Sequence, residues 1–158
     1  MGCGKSSVGK SLAGKLGWDF LDLDTYIITR AARTMEDLFS EGQQEFRALE
    51  ASCLKSIFDS VTENTVLALG GGSTLNEDSA KLVLERSLCI YLQTSAEQIR
   101  SRLSRAPGVR PLYDKGNAEE LLLGRLPVYE RAHYSVNTDA LTVEEVSDIL
   151  SDYILSLL

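Results

Sequence analysis

Gly2-Cys3-Gly4-Lys5-Ser6-Ser7-Val8-Gly9-Lys10-Ser11-Leu12 stands at the head of the chain, and its reading decides the fold. Gly2 to Ser6 is the second half of the pattern G-x-x-x-x-G-K-[ST], in which a glycine-rich loop cradles nucleotide phosphates. Gly2 and Gly4 permit positive φ and let backbone N–H groups turn toward oxyanions. Lys5 has the place that bridges β- and γ-phosphates, and the Ser6 hydroxyl that of a Mg²⁺ ligand. Val8, Leu12, Ala13 and Leu16 recur at helical spacing, so the loop feeds a helix whose N-terminus faces the phosphates. The competing reading is a glycine-rich segment before an ordinary amphipathic helix. The pattern's first glycine and the apolar strand that would feed the loop fall upstream of Met1.

Outward from this loop, apolar and helical segments alternate. Phe20-Leu21-Asp22-Leu23 reads as a short strand ending in acids, and residues 26–32 as a helix. Thr34 with Asp37 resembles a capping box, Gly42 ends that helix, and residues 43–59 form a long amphipathic one. Val66-Leu67-Ala68-Leu69 has the continuous apolar character of a fully buried strand and runs into Gly70-Gly71-Gly72. A helix over 77–85 precedes the strand Leu88 to Leu92, and Thr94 with Glu97 caps a helix to about Leu103. Residues 105–116 hold two prolines and two glycines, a composition suited to a mobile loop. A helix with a kink or joint at Pro127 is expected over 117–133, then a strand over 134–137. Thr142 with Glu145 caps a last helix to Leu157. Strands alternating with helices imply a parallel sheet covered on both faces, a three-layer α/β/α arrangement.

The chain of 158 residues reads as one domain. Its net charge of −7 argues against nucleic acid as a partner, because phosphate backbones need basic surface. No apolar run approaches membrane-spanning length and no signal peptide is evident, so a cytoplasmic protein is expected. Cys3, Cys53 and Cys89 are odd in number and scattered, the pattern of reduced thiols rather than of a disulfide framework or a zinc site.

In open α/β sheets, ligands bind beyond the carboxyl ends of the strands. The loop at Gly2 to Ser6, the acids Asp22 and Asp24, and the triple glycine should therefore converge at one rim. Asp22 would support Mg²⁺, directly or through water. Asp24 would orient and deprotonate an attacking hydroxyl. An Asp-x-Asp pair reads equally well as turn formation and helix capping. Gly70, Gly71 and Gly72 permit close approach of a ligand to the backbone. Arg47 and Arg125 suit bidentate carboxylate recognition, although for either alone a solvated helix face is the plainer reading. Arg110, before Pro111, would close over the phosphates. His133, the only histidine, is given no role.

Taken in order, Gly4-Lys5-Ser6-Ser7-Val8-Gly9-Lys10, Asp22-Leu23-Asp24, Glu45-Phe46-Arg47, Gly70-Gly71-Gly72, Arg110-Pro111-Leu112 and Arg125-Leu126-Pro127-Val128-Tyr129 resemble shikimate kinase, a small P-loop kinase of the nucleoside monophosphate kinase fold. The resemblance runs through nearly the whole chain. It implies transfer of the γ-phosphate of ATP to the 3-hydroxyl of shikimate, with Mg²⁺, in the chorismate route to aromatic amino acids. It implies a five-stranded parallel sheet whose central strand precedes the loop, and a lid at about 105–116. By the same resemblance Gly2, Cys3, Gly4, Lys5, Ser6 and Ser7 hold the nucleotide, with Arg105 (or Arg102) beside adenine and Arg110 on the lid. Ser6 and Asp22 serve the metal. Asp24, Arg47, Gly70, Gly71, Gly72 and Arg125 bind the substrate, and Lys5, Asp24 and Arg110 carry the catalysis. Leu23 stands where threonine is frequent, and Tyr113 where leucine is. The partners expected are ATP and shikimate, for a monomer without nucleic acid or membrane. A gluconate kinase-like enzyme and a non-catalytic relative are the alternatives.

One further expectation concerns stability. Without a strand before the loop, neighbouring strands would leave backbone groups unpaired, at about 1–3 kcal/mol each, against a total stability of about 5–15 kcal/mol. The chain as written is thus expected to be poorly stable and weakly active. About eight to ten upstream residues, a typical strand and the loop's start, should rescue both.

Overall fold

The computed structural model describes residues 4–105 and 118–158. Helix α1 (Lys5–Leu16) leads into strand β1 (Asp19–Asp22), followed by α2 (Leu23–Ala31), α3 (Met35–Ser40) and α4 (Gln43–Ser60). Strand β2 (Thr65–Ala68), α5 (Glu77–Arg86), β3 (Ile90–Gln93) and α6 (Ala96–Arg105) come next. Helix α7 (Ala118–Tyr129), β4 (Tyr134–Asn137) and α8 (Val143–Leu157) complete the described chain.

The strands pair in parallel as β1 with β2, Asp19 opposite Thr65, and as β3 with β4, Ile90 opposite Tyr134. Alternating side chains send the sheet's two faces into two cores. On one side Leu67 and Leu69 meet Leu23 and Ile27 of α2, Phe46, Leu54 and Ile57 of α4, and Val83 of α5. On the other, Val66, Ile90 and Leu92 meet Val8 and Leu12 of α1 and Val146, Leu150 and Ile154 of α8. This is the three-layer arrangement expected. Gly9 brings α1 close to the sheet, since a Cβ there would lie 2.6 Å from the Phe20 ring.

Among the described residues no strand lies between β2 and β3, the central position. A cavity of about 530 Å³ lies there instead, lined by Trp18, Val66, Ile90 and Ile154 among others. A smaller one of about 160 Å³, sharing Leu12, Phe58, Val66, Leu67 and Ile90 with the first, reaches up to Lys5. This corrects the reading of residues 66–69 as a fully buried strand: Val66 and Leu67 are only half-buried because one edge of β2 borders open space.

Local chemistry explains the element ends. Gly4 caps α1 at φ 78° and Gly17 ends it at φ 69°, both left-handed conformations that favour glycine. Leu23 is the first residue of α2 rather than the last of the strand, because Asp22 caps that helix. Ser95, not Thr94, caps α6, its Oγ accepting from Gln98 N at 3.2 Å. Thr94 is buried instead, its hydroxyl 2.8 Å from that of Thr138. Thr142 and Glu145 form a complete capping box. Helix α7 stops at Tyr129, four residues before the expected end, with Pro127 in its last turn. His133 lies beyond it, its Nδ1 accepting from Cys89 N at 2.9 Å, which ties the start of β3 to the start of β4. No helix among the described residues is long and apolar enough to cross a membrane.

Candidate active site

The carboxyl ends of β1 and β2 and the N-terminus of α1 meet at one rim. Asp22 is the knot. Its Oδ1 accepts from Thr25 N at 3.0 Å, capping α2, and its Oδ2 accepts a hydrogen bond from Ser6 Oγ in the first turn of α1. A hydroxyl and a carboxylate thus share one point beside a helix terminus, where unpaired N–H groups and the helix dipole favour anions. Gly4 offers no side chain to cap those N–H groups. Lys5 is half-buried and Ser7 exposed on the same turn. Gly2 and Cys3 lie outside the described residues, as does Arg110.

Asp24 follows two residues later in the first turn of α2, a helical position rather than a turn after a strand. Burial, the main cause, pushes its carboxyl above the usual range, and the charges of Asp22 and Glu50 push the same way, while Lys5 and Arg47 oppose. A carboxyl whose affinity for a proton is raised in this manner is suited to proton transfer.

The Gly70–Gly72 turn closes the other side. A Cβ on Gly70 would lie 3.2 Å from Asp24 Oδ1 and 3.2 Å from Glu50 Oε2. A Cβ on Gly72 would lie 2.3 Å from Arg47 Nη2. The turn is glycine because two acids and a guanidinium press on it, and the plain-flexible-turn reading does not account for that. Arg47 is not on a solvated face. It projects from α4 beside Glu50 one turn on, donating from Nη1 to Oε1 at 2.8 Å. Its Nε is buried with no hydrogen-bond partner, so the guanidinium keeps a buried donor in hand. Arg125, on α7, is 5% exposed, and the solvated-face reading fails for it too. The rim therefore gathers Ser6, Asp22, Asp24, Gly70, Gly72, Arg47 and Glu50. Arg105 ends α6 in solvent and Arg102 is half-buried one turn earlier.

Sequence reasoning gave no role to Glu50, Ser73 or Tyr129, although Tyr129 stands in the Arg125–Tyr129 motif. Glu50 is 2% exposed and takes a second bond from Ser73 Oγ at 2.8 Å. Tyr129 donates its hydroxyl to the Gly71 carbonyl. Only the spacing of Arg47 and Glu50, three apart on one helix, was available as a signal.

Comparison with known proteins bears on the whole arrangement. The family model described as shikimate kinase matches residues 1–154. The chain belongs to the shikimate kinase family. It is 40% identical over 151 residues to a shikimate kinase of Thermus thermophilus, covering 92% of this chain and 81% of that one. It is 36% identical over 159 residues to that of Thermodesulfovibrio yellowstonii, covering 97% and 90%. Among solved structures, the shikimate kinase of Acinetobacter baumannii in complex with shikimate superposes with a TM-score of 0.91 at 33% identity, over 99% of this chain and 89% of that one. The enzyme from Bacteroides thetaiotaomicron superposes at 0.87 with 29% identity, over 98% and 94%. Membership of the shikimate kinase family makes the protein a kinase, a phosphotransferase, and agrees with its α/β fold of parallel strands.

Proposed function

We propose that the protein transfers the γ-phosphate of ATP to the 3-hydroxyl of shikimate, giving shikimate 3-phosphate and ADP for chorismate and aromatic amino-acid synthesis. The observation that carries this reading is Arg47, fixed by Glu50 against Gly72 with a buried donor still unpaired, beside the half-buried acid Asp24. A donor fork next to a proton acceptor fits a substrate that bears both a carboxylate and hydroxyls.

In this reading Gly2, Cys3, Gly4, Ser6 and Ser7 surround the nucleotide phosphates at the N-terminus of α1, and Lys5 balances their charge. Arg47 and Arg125 hold the shikimate carboxylate, with the Gly70–Gly72 backbone against the ring. Asp24 takes the hydroxyl proton as that oxygen bonds to the γ-phosphorus and the bond to ADP breaks. Arg110, within a lid over about 105–116, screens charge on the transferred group, and Arg105 or Arg102 flanks adenine. Ser6 and Asp22 fit Mg²⁺: a hydroxyl and a carboxylate converge, and no group of three or more His, Cys, Asp or Glu competes among the described residues. Such a sparse set suits an ion that keeps waters and phosphate oxygens as its other ligands. When bound, Mg²⁺ would neutralise phosphate charge. A single-domain, monomeric, cytoplasmic enzyme without nucleic-acid or membrane partners completes the proposal.

The direct test is a coupled assay of ADP release with shikimate and, in parallel, with gluconate. Shikimate-dependent release supports the reading, and release with gluconate alone overturns it. Gly72→Ala gives a second check. A Cβ there meets the mobile end of Arg47, not backbone, so the fold should survive while the guanidinium is displaced. The shikimate Michaelis constant should rise about tenfold, the equivalent of one charge-assisted bond, with a cooperative melt retained.

A further inference from the structure

The triple-glycine turn is the joint between the two helices that carry Arg47 and Arg125. Three consecutive glycines are conformationally loose, yet this turn is held from both sides by side chains the reaction does not use. From one side, Ser73, 2% exposed, donates its hydroxyl to Glu50 Oε2 at 2.8 Å, while Glu50 Oε1 takes Arg47 Nη1 at 2.8 Å. Ser73 N also donates to Gly70 O at 3.2 Å and closes the turn on itself. From the other side, the Tyr129 hydroxyl donates to the Gly71 carbonyl. Tyr129 lies one helical turn beyond Arg125 on α7, just as Glu50 lies one turn beyond Arg47 on α4. Each arginine thus has, on its own helix, a neighbour that engages the same glycine turn.

We propose that Ser73 and Tyr129 are positioning residues: together they latch the Gly70–Gly72 turn between α4 and α7, and so set the separation of the two arginines that receive the substrate's carboxylate. The inference rests on the assignment of Arg47 and Arg125 to that carboxylate. Its physical basis is preorganisation. A latched turn presents the arginines already spaced, whereas a free one must lose conformational freedom as the substrate arrives. The two latch bonds end on Glu50 and on the Gly71 carbonyl and not on Ser6, Asp22 or Asp24, so their loss should appear in substrate affinity and not in the chemical step.

The experiment uses the whole chain, with shikimate binding measured by calorimetry and turnover by ADP release. Ser73→Ala and Tyr129→Phe should each raise the shikimate Kd and Michaelis constant by about five- to tenfold, as expected for one hydrogen bond to a charged or backbone acceptor. The turnover number should stay within about twofold, as an interaction outside the chemical step requires, and the Michaelis constant for ATP should not move. In an Arg47→Ala background, Ser73→Ala should have no further effect on shikimate affinity, because it acts through that arginine; a merely structural serine would weaken both backgrounds equally. Should Ser73→Ala fail to melt cooperatively, Tyr129→Phe, which removes a single oxygen, carries the test. Unchanged shikimate affinity in Tyr129→Phe and in a folded Ser73→Ala overturns the latch and leaves the proposed reaction standing. Absence of shikimate binding by the unmodified protein overturns the reaction and the latch together.

Discussion

Asp24→Asn should reduce turnover by about 10²- to 10⁴-fold, the usual contribution of a positioned general base, while ATP still binds. The amide keeps the shape of the side chain and removes its capacity to take the hydroxyl proton. The same substitution has a second, opposite effect. Burial raises the Asp24 carboxyl, so the folded protein binds this proton more tightly than the unfolded chain does. That term favours folding fully below the ordinary carboxylate value. It is lost as pH rises from there through the raised folded value. At neutral pH the charged Asp24 therefore burdens the fold, and Asp24→Asn should melt at a higher temperature than the unmodified protein. Near pH 3 the difference should vanish. Turnover of the unmodified protein should show an acid limb above the usual carboxylate range, displaced in the same direction as the shift. A variant that loses activity without gaining stability at pH 7 would place the acid in a different environment from the one described.

Arg47→Ala should cost more than substrate affinity. A charge-assisted contact contributes about 1.5–3 kcal/mol, so the shikimate Kd should rise about 10- to 150-fold. Glu50 would also be left buried with one neutral partner, Ser73. Breaking a buried ion pair from one side costs about 3–5 kcal/mol, and the partial exposure of Arg47 argues for the low end. Arg47→Ala combined with Glu50→Gln should recover much of that stability and none of the binding. Arg125→Ala should match the loss of affinity. Chemical denaturation and calorimetry on the three variants separate the two effects. Equal stability of Arg47→Ala and the double variant would mean that the pair contributes nothing to the fold.

The parts of this site that could be read in the sequence were those that follow from local rules. Gly4-Lys5-Ser6 announced a helix start, and Thr142 with Glu145 announced a capped helix, because both motifs act within a few residues of backbone. What escaped depends on partners distant along the chain. Glu50 sits, like Arg47 and Arg125, on a helix where charged residues normally face water, and nothing local distinguishes a charge neutralised inside from one solvated outside; the two arginines were picked out by their residue type and by the ordered motifs, whereas Glu50 was not. Ser73 meets Glu50 across 23 positions and Tyr129 meets Gly71 across 58. The displacement of the α6 cap from Thr94 to Ser95 has the same cause, since Thr138, 44 positions away, claims the threonine. The half-exposed character of β2 was hidden because an apolar run records what a strand would bury, not whether a neighbour is there.

Among the described residues the strands form two hydrogen-bonded pairs, β1 with β2 and β3 with β4, that share no strand. Among the described residues, side chains of α1 and α8 pack across both pairs. Cooperative units of a protein tend to follow such divisions. Amide hydrogen exchange should accordingly resolve two groups of strand protons, those of β1 with β2 and those of β3 with β4, opening with different free energies.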